Sequence, residues 1–246
     1  MKGWFLILLS ILVPSISFAA VGRVTYAKGK VDIVKKGRFK GVSWKTLNGE
    51  VDVGDIVRTK RKSEAQIKFI DNTEVFLAER TRLIVEKYIP EREANMSLPF
   101  GRVIYRVSGR TAGAFNVKTP IALIGVKGTE FLVDVNFERV LVAVLKGVVE
   151  VKNFFTGERV ILGSGSIVRI EGKEKTTPEH VGVDNVKNIV ESSTMDGKKV
   201  ETYTVVDYPV VSADVAEDVI QSIEVKEKED NLNVQVEIPE TSIEGM

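Results

Sequence analysis

The chain has 246 residues, 43% hydrophobic and 28% charged, a balance that suits one sizeable folded domain with an appendage and excludes gross disorder and collagen-like order. Lys and Arg number 35 against 34 Asp and Glu, so no global charge excess marks a nucleic-acid binder. Cys is absent and His180 is the single histidine, which removes disulfide frameworks, thiol nucleophiles, Cys/His zinc sites and triads that need a spare imidazole. No cofactor is expected, and a non-catalytic role is.

Residues 1–19 read as a secretory signal peptide. Lys2 is followed by an apolar run from Trp4 to Val13, then Pro14, with small residues Ser17 and Ala19 placed for cleavage after Ala19. The run is too short to span the roughly 30 Å of a bilayer's hydrocarbon core comfortably, and no later stretch approaches spanning length. The expectation is an exported, periplasmic protein, with the cell surface or secretion as further destinations. The neutral total also hides a division: residues 1–178 carry 30 Lys/Arg and 18 Asp/Glu, and residues 179–246 carry 5 and 16. Thr176-Thr177-Pro178 sits at the break, so the chain divides into a domain over 20–175 and an acidic region over 176–246.

From Val21 to Ile170 apolar residues recur at period two and β-branched residues abound, the pattern of strands. Gly22–Tyr26 and Lys30–Val34 read as a first hairpin around Ala27-Lys28-Gly29, with Val31 and Ile33 on one face and Asp32 on the other. Ala65–Phe69 and Glu74–Leu77 follow, joined by Asp71-Asn72-Thr73. The last series is Glu130–Val135, Val140–Leu145, Val148–Lys152, Arg159–Leu162 and Ile167–Ile170. Connections this short leave no room for crossover helices, so the fold class is all-β, a sandwich or a strand-per-turn solenoid. In the acidic region Lys199–Val206 and Leu232–Ile238 alternate like strands around an amphipathic stretch, Ser212–Ile223. This is the pattern of a small β-α-β unit or of an acidic tail.

Several blocks then carry a resemblance. Leu47–Thr59, with Gly49, Gly54, Asp55 and Thr59, and Ser63–Asp71, ending on Asp71, come first. Gly101-Arg102-Val103, Phe115–Ala122 with Thr119 and Pro120, Val126–Phe131 with Gly128, Thr129 and Phe131, and Gly147–Val151 follow in order. This arrangement, over about residues 22–170, resembles the FecR family of periplasmic domains. The resemblance implies an all-β, twisted solenoid-like fold. Members of the iron-citrate system hold a sigma factor through a cytoplasmic N-terminal segment and respond to a TonB-dependent receptor. Here an export signal stands first, and Asp71-Asn72-Thr73 replaces the usual Asp-Gly-Ser turn.

The motif residues admit structural and chemical readings. Gly54-Asp55 reads as a tight turn in which Asp55 accepts a backbone N–H; against this stands calcium held by Glu50, Asp52 and Asp55, three acids for an ion that takes six to eight oxygens. Pro120 belongs at a strand edge or start, and Phe131, Val133 and Val135 form an inward row; the alternative is a ligand cradle of Gly125, Gly128 and the Thr129 hydroxyl. Gly163-Ser164-Gly165-Ser166 lacks the order of a nucleophile elbow, and His180 reads as an exposed bystander. Arg58, Lys60, Arg61 and Lys62, with Arg102, Arg106 and Arg110, are cationic; the first four are candidate contacts for an anionic ligand. The leading function is therefore an exported binding module for an envelope protein or anionic glycan. The alternative is a periplasmic signalling subunit linked to a TonB-dependent receptor and sigma-factor system. A hydrolase built on Asp52 and Asp55 is a third reading.

Overall fold

The structure is a computed structural model that describes residues 20–90, 92–108, 114–137 and 139–192. The signal peptide, Arg110 and the strand and helix patterns expected beyond residue 192 lie outside those residues. The strands in chain order are β1 (Gly22–Lys28), β2 (Val31–Val34), β3 (Val42–Ser43), β4 (Glu50–Val51), β5 (Ile56–Thr59), β6 (Glu64–Phe69), β7 (Glu74–Leu77) and β8 (Arg82–Ile89). Then come β9 (Glu93–Arg106), β10 (Ala114–Lys118), β11 (Ala122–Val126), β12 (Glu130–Val135), β13 (Arg139–Lys146), β14 (Val148–Asn153), β15 (Arg159–Gly163), β16 (Ser166–Glu171) and β17 (Pro178–His180). A 3-10 turn covers Trp44–Leu47, and a helix, α1, covers Val183–Glu191.

Pairing sorts these strands into two series that share β9. In sheet I the order is β4-β1-β6-β7-β9-β12-β13-β16-β17. In sheet II it is β3-β2-β5-β8-β9-β10-β11-β14-β15, with β9 and β10 parallel and the other neighbours antiparallel. Residues 93–97 of β9 pair in sheet II, and residues 101–106 pair in sheet I. Pro99 falls where the pairing of β9 with β8 is irregular, between Ser97 and Phe100 and just before the strand joins sheet I at Gly101, a position that tolerates a missing N–H. The chain thus changes sheets every strand or two, which places the fold between the sandwich and solenoid readings. One expectation is corrected: β1 and β2 do not form a hairpin, because β1 pairs with β4 and β6 in sheet I and β2 with β3 and β5 in sheet II.

Strand alternation then dictates the core. Ile33, Val57, Leu83, Met96, Phe115, Ile124 and Val151 of sheet II meet Ile67, Leu77, Val103, Tyr105, Phe131, Val133 and Val142 of sheet I in one buried cluster. Aromatic contacts bridge the layers: the Tyr105 and Phe115 rings meet edge-on at 5.7 Å, and Phe69 stacks on Tyr88 at 4.4 Å. Each fully buried large side chain contributes about 1.5–3 kcal/mol of transfer free energy, so this double layer is the chief source of stability.

The outer face of sheet I is also partly apolar. Phe76, Ile104, Leu132, Ala143 and Ile167 are successive cross-strand partners, forming one row across five strands. Helix α1 lays Val186 and Val190 on this row, and both are buried. The described chain therefore packs on the β-domain to the end of α1, beyond the charge break at Thr176–Pro178.

Candidate functional site

Asp55 is held by three donors. It is 1% exposed, and its carboxylate accepts the Asp52 N–H at 2.8 Å, the Lys36 N–H at 3.0 Å and the Lys35 ammonium at 2.7 Å. Asp52 also takes the Lys35 ammonium, at 2.6 Å. Burial pulls the Lys35 pKa down, but hydrogen bonds to Asp52 and Asp55 and their charges outweigh it and hold the amine above its ordinary value. Two of the three acids of the alternative calcium reading, Asp52 and Asp55, converge on this ammonium. Glu50 turns away to Arg23, at 3.5 Å. Among the described residues no group of three acidic or imidazole side chains is placed to hold a metal ion.

The remaining signature residues close turns or fill the space beside them. Gly54, with φ +92°, lies under the Lys36 side chain, and Gly49 accepts the Val24 N–H at 2.8 Å. Thr59, 3% exposed, donates to the Ala78 carbonyl and accepts the Thr81 N–H at 2.9 Å; Thr81 in turn accepts the Arg102 N–H at 3.1 Å. Gly101 lies against that column at φ +107°, where a Cβ would sit 2.5 Å from Thr81 Cα, so only glycine allows β9 to bend there. Asp71 caps the β6–β7 turn by accepting the Thr73 N–H at 2.9 Å and also accepts the Tyr88 hydroxyl at 2.6 Å. Burial first and this hydrogen bond second push the Tyr88 phenol far above its ordinary pKa, so it is a permanent donor. Thr119 donates to the Ala122 carbonyl and accepts its N–H, both at 2.9 Å, closing the turn that contains Pro120.

At the β11–β12 junction the structure brings Gly128, Thr129, Phe131 and Gly147 together. Phe131 is fully buried and stacks on Tyr105 at 5.0 Å, with Val133 and Val135 inward beside it as the alternation predicts. Gly147, at φ +90°, leaves room for the Thr129 methyl. The Thr129 hydroxyl and the Tyr105 hydroxyl are both buried and find no partner among the described residues. Gly125 lies opposite Asn116 and Glu150 on the neighbouring strands.

The cationic candidates separate into two pairs. Arg58 and Lys60 lie near Asp32, at 3.4 and 3.5 Å, on the outer side of sheet II. Arg61 and Lys62 are exposed in the β5–β6 turn, where the Lys62 N–H is held by Glu79. Arg82, which sequence reading passed over, stands directly opposite Arg58 on the neighbouring strand, a like-charge pairing in which Arg58 also meets Asp32. Arg102 and Arg106 are spoken for by Asp134 at 2.6 Å and Glu130 at 2.8 Å.

The Gly-Ser-Gly-Ser segment is the β15–β16 turn. Ser164 accepts the Gly147 N–H at 3.0 Å, and Ser166 Oγ lies 3.3 Å from His180 Nδ1 at an exposed position. Among the described residues no carboxylate bonds to the His180 ring, so a relay is not formed.

An all-β scaffold whose signature residues are spent on turns and strand crossings is the class of protein this geometry defines. The family model described as FecR protein matches residues 55–150, from Asp55 to Glu150, and that stretch of the chain is a FecR-family region. No curated protein matches the chain. Among solved structures, it is similar to two crystal structures, at 1.65 and 2.50 Å resolution, of a protein assigned as an anti-sigma factor from Parabacteroides distasonis. Each is 17% identical with a TM-score of 0.49, over 55% of this chain and 64% of that one, so the match leaves about a third of that protein's length uncovered.

Proposed function

We propose that the protein is an exported, non-catalytic binding module of the cell envelope whose partner is an envelope protein or an anionic glycan. One observation carries this reading: the family's signature side chains, Asp55, Thr59, Asp71, Thr119 and Phe131, are buried and bonded within the fold, so they build a scaffold and leave partner contact to the surface. Paired carboxylates for hydrolysis would need to face a substrate, whereas Asp52 and Asp55 share one ammonium. No helix among the described residues is long and apolar enough to cross a membrane. The FecR-family region also supports a second reading, a regulatory subunit that passes on the state of a TonB-dependent receptor through a separate sigma-factor pathway.

Crosslinking the full chain in its own cells and washing the complexes in high salt tests the first reading. A defined envelope protein or glycan that survives the wash is expected. Its absence, or turnover of cell-wall fragments that disappears in Asp55→Asn, would overturn the binding-module reading. Removing the gene separates the second reading, since altered transcription of a linked receptor belongs only to a regulator.

A further inference from the structure

The loop between β2 and β3 has no counterpart in the signature blocks and lies outside the matched stretch. It reads Lys35-Lys36-Gly37-Arg38-Phe39-Lys40-Gly41, with four cations, no acid and one aromatic residue. Lys35 is tied down by Asp52 and Asp55, and the Lys36 N–H is held by Asp55, so the loop leaves a rigid base. The Arg38 N–H returns to the Lys35 carbonyl at 2.9 Å, closing a turn at Gly37. On the far side Gly41 fits against Asp32 and Arg58. Between these anchors Lys36, Arg38, Phe39 and Lys40 are all exposed, and Phe39 is 100% exposed. None of the three exposed cations has an ion-pair partner among the described residues.

Elsewhere on the molecule an exposed aromatic has a neighbour: Phe137, 94% exposed, still meets Phe100 at 5.2 Å. Phe39 is fully exposed, yet it is presented by a turn whose base is fixed by a buried carboxylate. An apolar ring held out in water gains nothing in the free protein, whereas leaving water for an apolar phase favours it. Three cations flanking the ring supply the complementary attraction to a negatively charged surface, and basic side chains bury their methylene stems while the charge stays at headgroup level. The nearby Arg58 and Lys60, which share Asp32 as an ion-pair partner, and Arg82 on the neighbouring strand extend the same sign of potential across the outer side of sheet II.

We infer that the β2–β3 loop is a membrane-docking tip: Phe39 enters the boundary of an anionic phospholipid leaflet while Lys36, Arg38 and Lys40 engage the headgroup phosphates. This goes beyond the binding-module reading, which concerns a protein or glycan partner. A hydrated polysaccharide would satisfy the cations but offers no apolar phase for a lone ring at a loop tip, and this asymmetry favours lipid. Full withdrawal of the ring from water corresponds to about ten- to a hundredfold in affinity. Each cation lost near the surface costs about fivefold at low ionic strength.

The absence of cysteine makes the test position-specific. The full chain carrying Phe39→Cys, labelled there with an environment-sensitive fluorophore, is titrated with vesicles of phosphatidylglycerol and, separately, of phosphatidylcholine. A second chain is labelled at Phe137→Cys. The expected result is a blue shift at position 39 with phosphatidylglycerol that salt reverses, no shift with phosphatidylcholine, and none at position 137. Adding Arg38→Glu and Lys40→Glu should abolish the shift at 39 with the circular dichroism spectrum unchanged. No shift with phosphatidylglycerol, an equal shift with neutral vesicles or at 137, or a shift that survives the charge reversals would overturn the inference. So would an equal shift on adding dextran sulfate, which would transfer the loop to anionic glycans.

Discussion

Replacing Asp55 tests whether the signature acid is a structural keystone. Asp55→Ala removes the acceptor of two backbone N–H groups and of the Lys35 ammonium, all within 3.0 Å. Asp52 remains to neutralise Lys35, which is 31% exposed and so regains some water, but the amides of Lys36 and Asp52 lose their acceptor. Each backbone N–H that loses a charged acceptor costs about 1.5–3 kcal/mol, so the two together cost about 3–6 kcal/mol, and with a urea dependence of about 2 kcal/mol per molar the unfolding midpoint should fall by roughly 2 M. Asp55→Asn is the sharper comparison. Its carbonyl oxygen can replace Oδ2 and keep the Lys35 ammonium and the Asp52 N–H, while its NH2 then faces the Lys36 N–H, another donor. One lost bond against a buried donor amounts to about 1–3 kcal/mol. The expected order of urea midpoints is parent, then Asn, then Ala, with the slope unchanged. A midpoint for Asp55→Ala within about 0.3 M of the parent would refute the keystone argument. Equal losses for the two variants would show that charge, and not the number of accepted bonds, sets the cost.

Phe131→Ala removes a fully buried ring that stacks on Tyr105, and a loss of about 3–5 kcal/mol in urea unfolding is expected; an unmoved midpoint would contradict its place in the core. Gly165→Val introduces a Cβ 2.9 Å from the Val183 nitrogen at φ +78°, so amide-exchange protection of Val186 and Val190 should drop as α1 lifts, with about 1–3 kcal/mol lost overall. Lys35 has a raised pKa in the folded state, so its stabilisation is complete below the unfolded value of about 10.4 and disappears as pH rises through the higher folded value. The stability gap between the parent and Lys35→Met should therefore be constant at neutral pH and close in strong alkali, and a gap that widens there would reverse the sign of the linkage. Taking the difference removes the separate alkaline loss from Tyr88 and Tyr105, whose phenols burial holds neutral in both proteins.

Much of the fold was legible where alternation is uninterrupted. The β6–β7 hairpin and the run from β12 to β16 fall within a residue or so of the stretches read from period two. Reading failed for β8 and β9 because their pairing slips between Val85 and Lys87, and because Pro99 and Gly101 look like breakers when they mark the passage of one long strand between sheets. The false β1–β2 hairpin has a related cause: Lys28-Gly29 is a good local turn, but the strand before it pairs with β4 and β6 in sheet I and the strand after it with β3 and β5 in sheet II. Helix α1 has apolar residues at 183, 186, 189 and 190, a helical spacing that was visible, yet Gly182 precedes it without a side-chain cap, so the usual start signal is missing. In the candidate site the turn role of Gly54-Asp55 was readable from residue type. The part played by Lys35 was not, since it lies 17 and 20 residues from the acids it joins.

The positions of these residues also separate what the family region specifies from what this chain adds. Within residues 55–150 the signature side chains point inward or close turns, which withdraws them from the surface. On the proposed binding-module reading, contact falls to surfaces that carry no signature: the β2–β3 loop, the outer side of sheet II around Arg58 and Arg82, and the apolar row of sheet I under α1. These surfaces differ in how they are tied to stability. The row beneath α1 is part of a buried cluster, so altering it disturbs folding and contact together. Phe39 is fully exposed, so its replacement should leave the unfolding free energy within about 0.5 kcal/mol of the parent. Paired measurements on Asp55 and Phe39 variants can then divide the molecule cleanly, because a loss of binding at constant stability can arise only from a residue that the fold does not use.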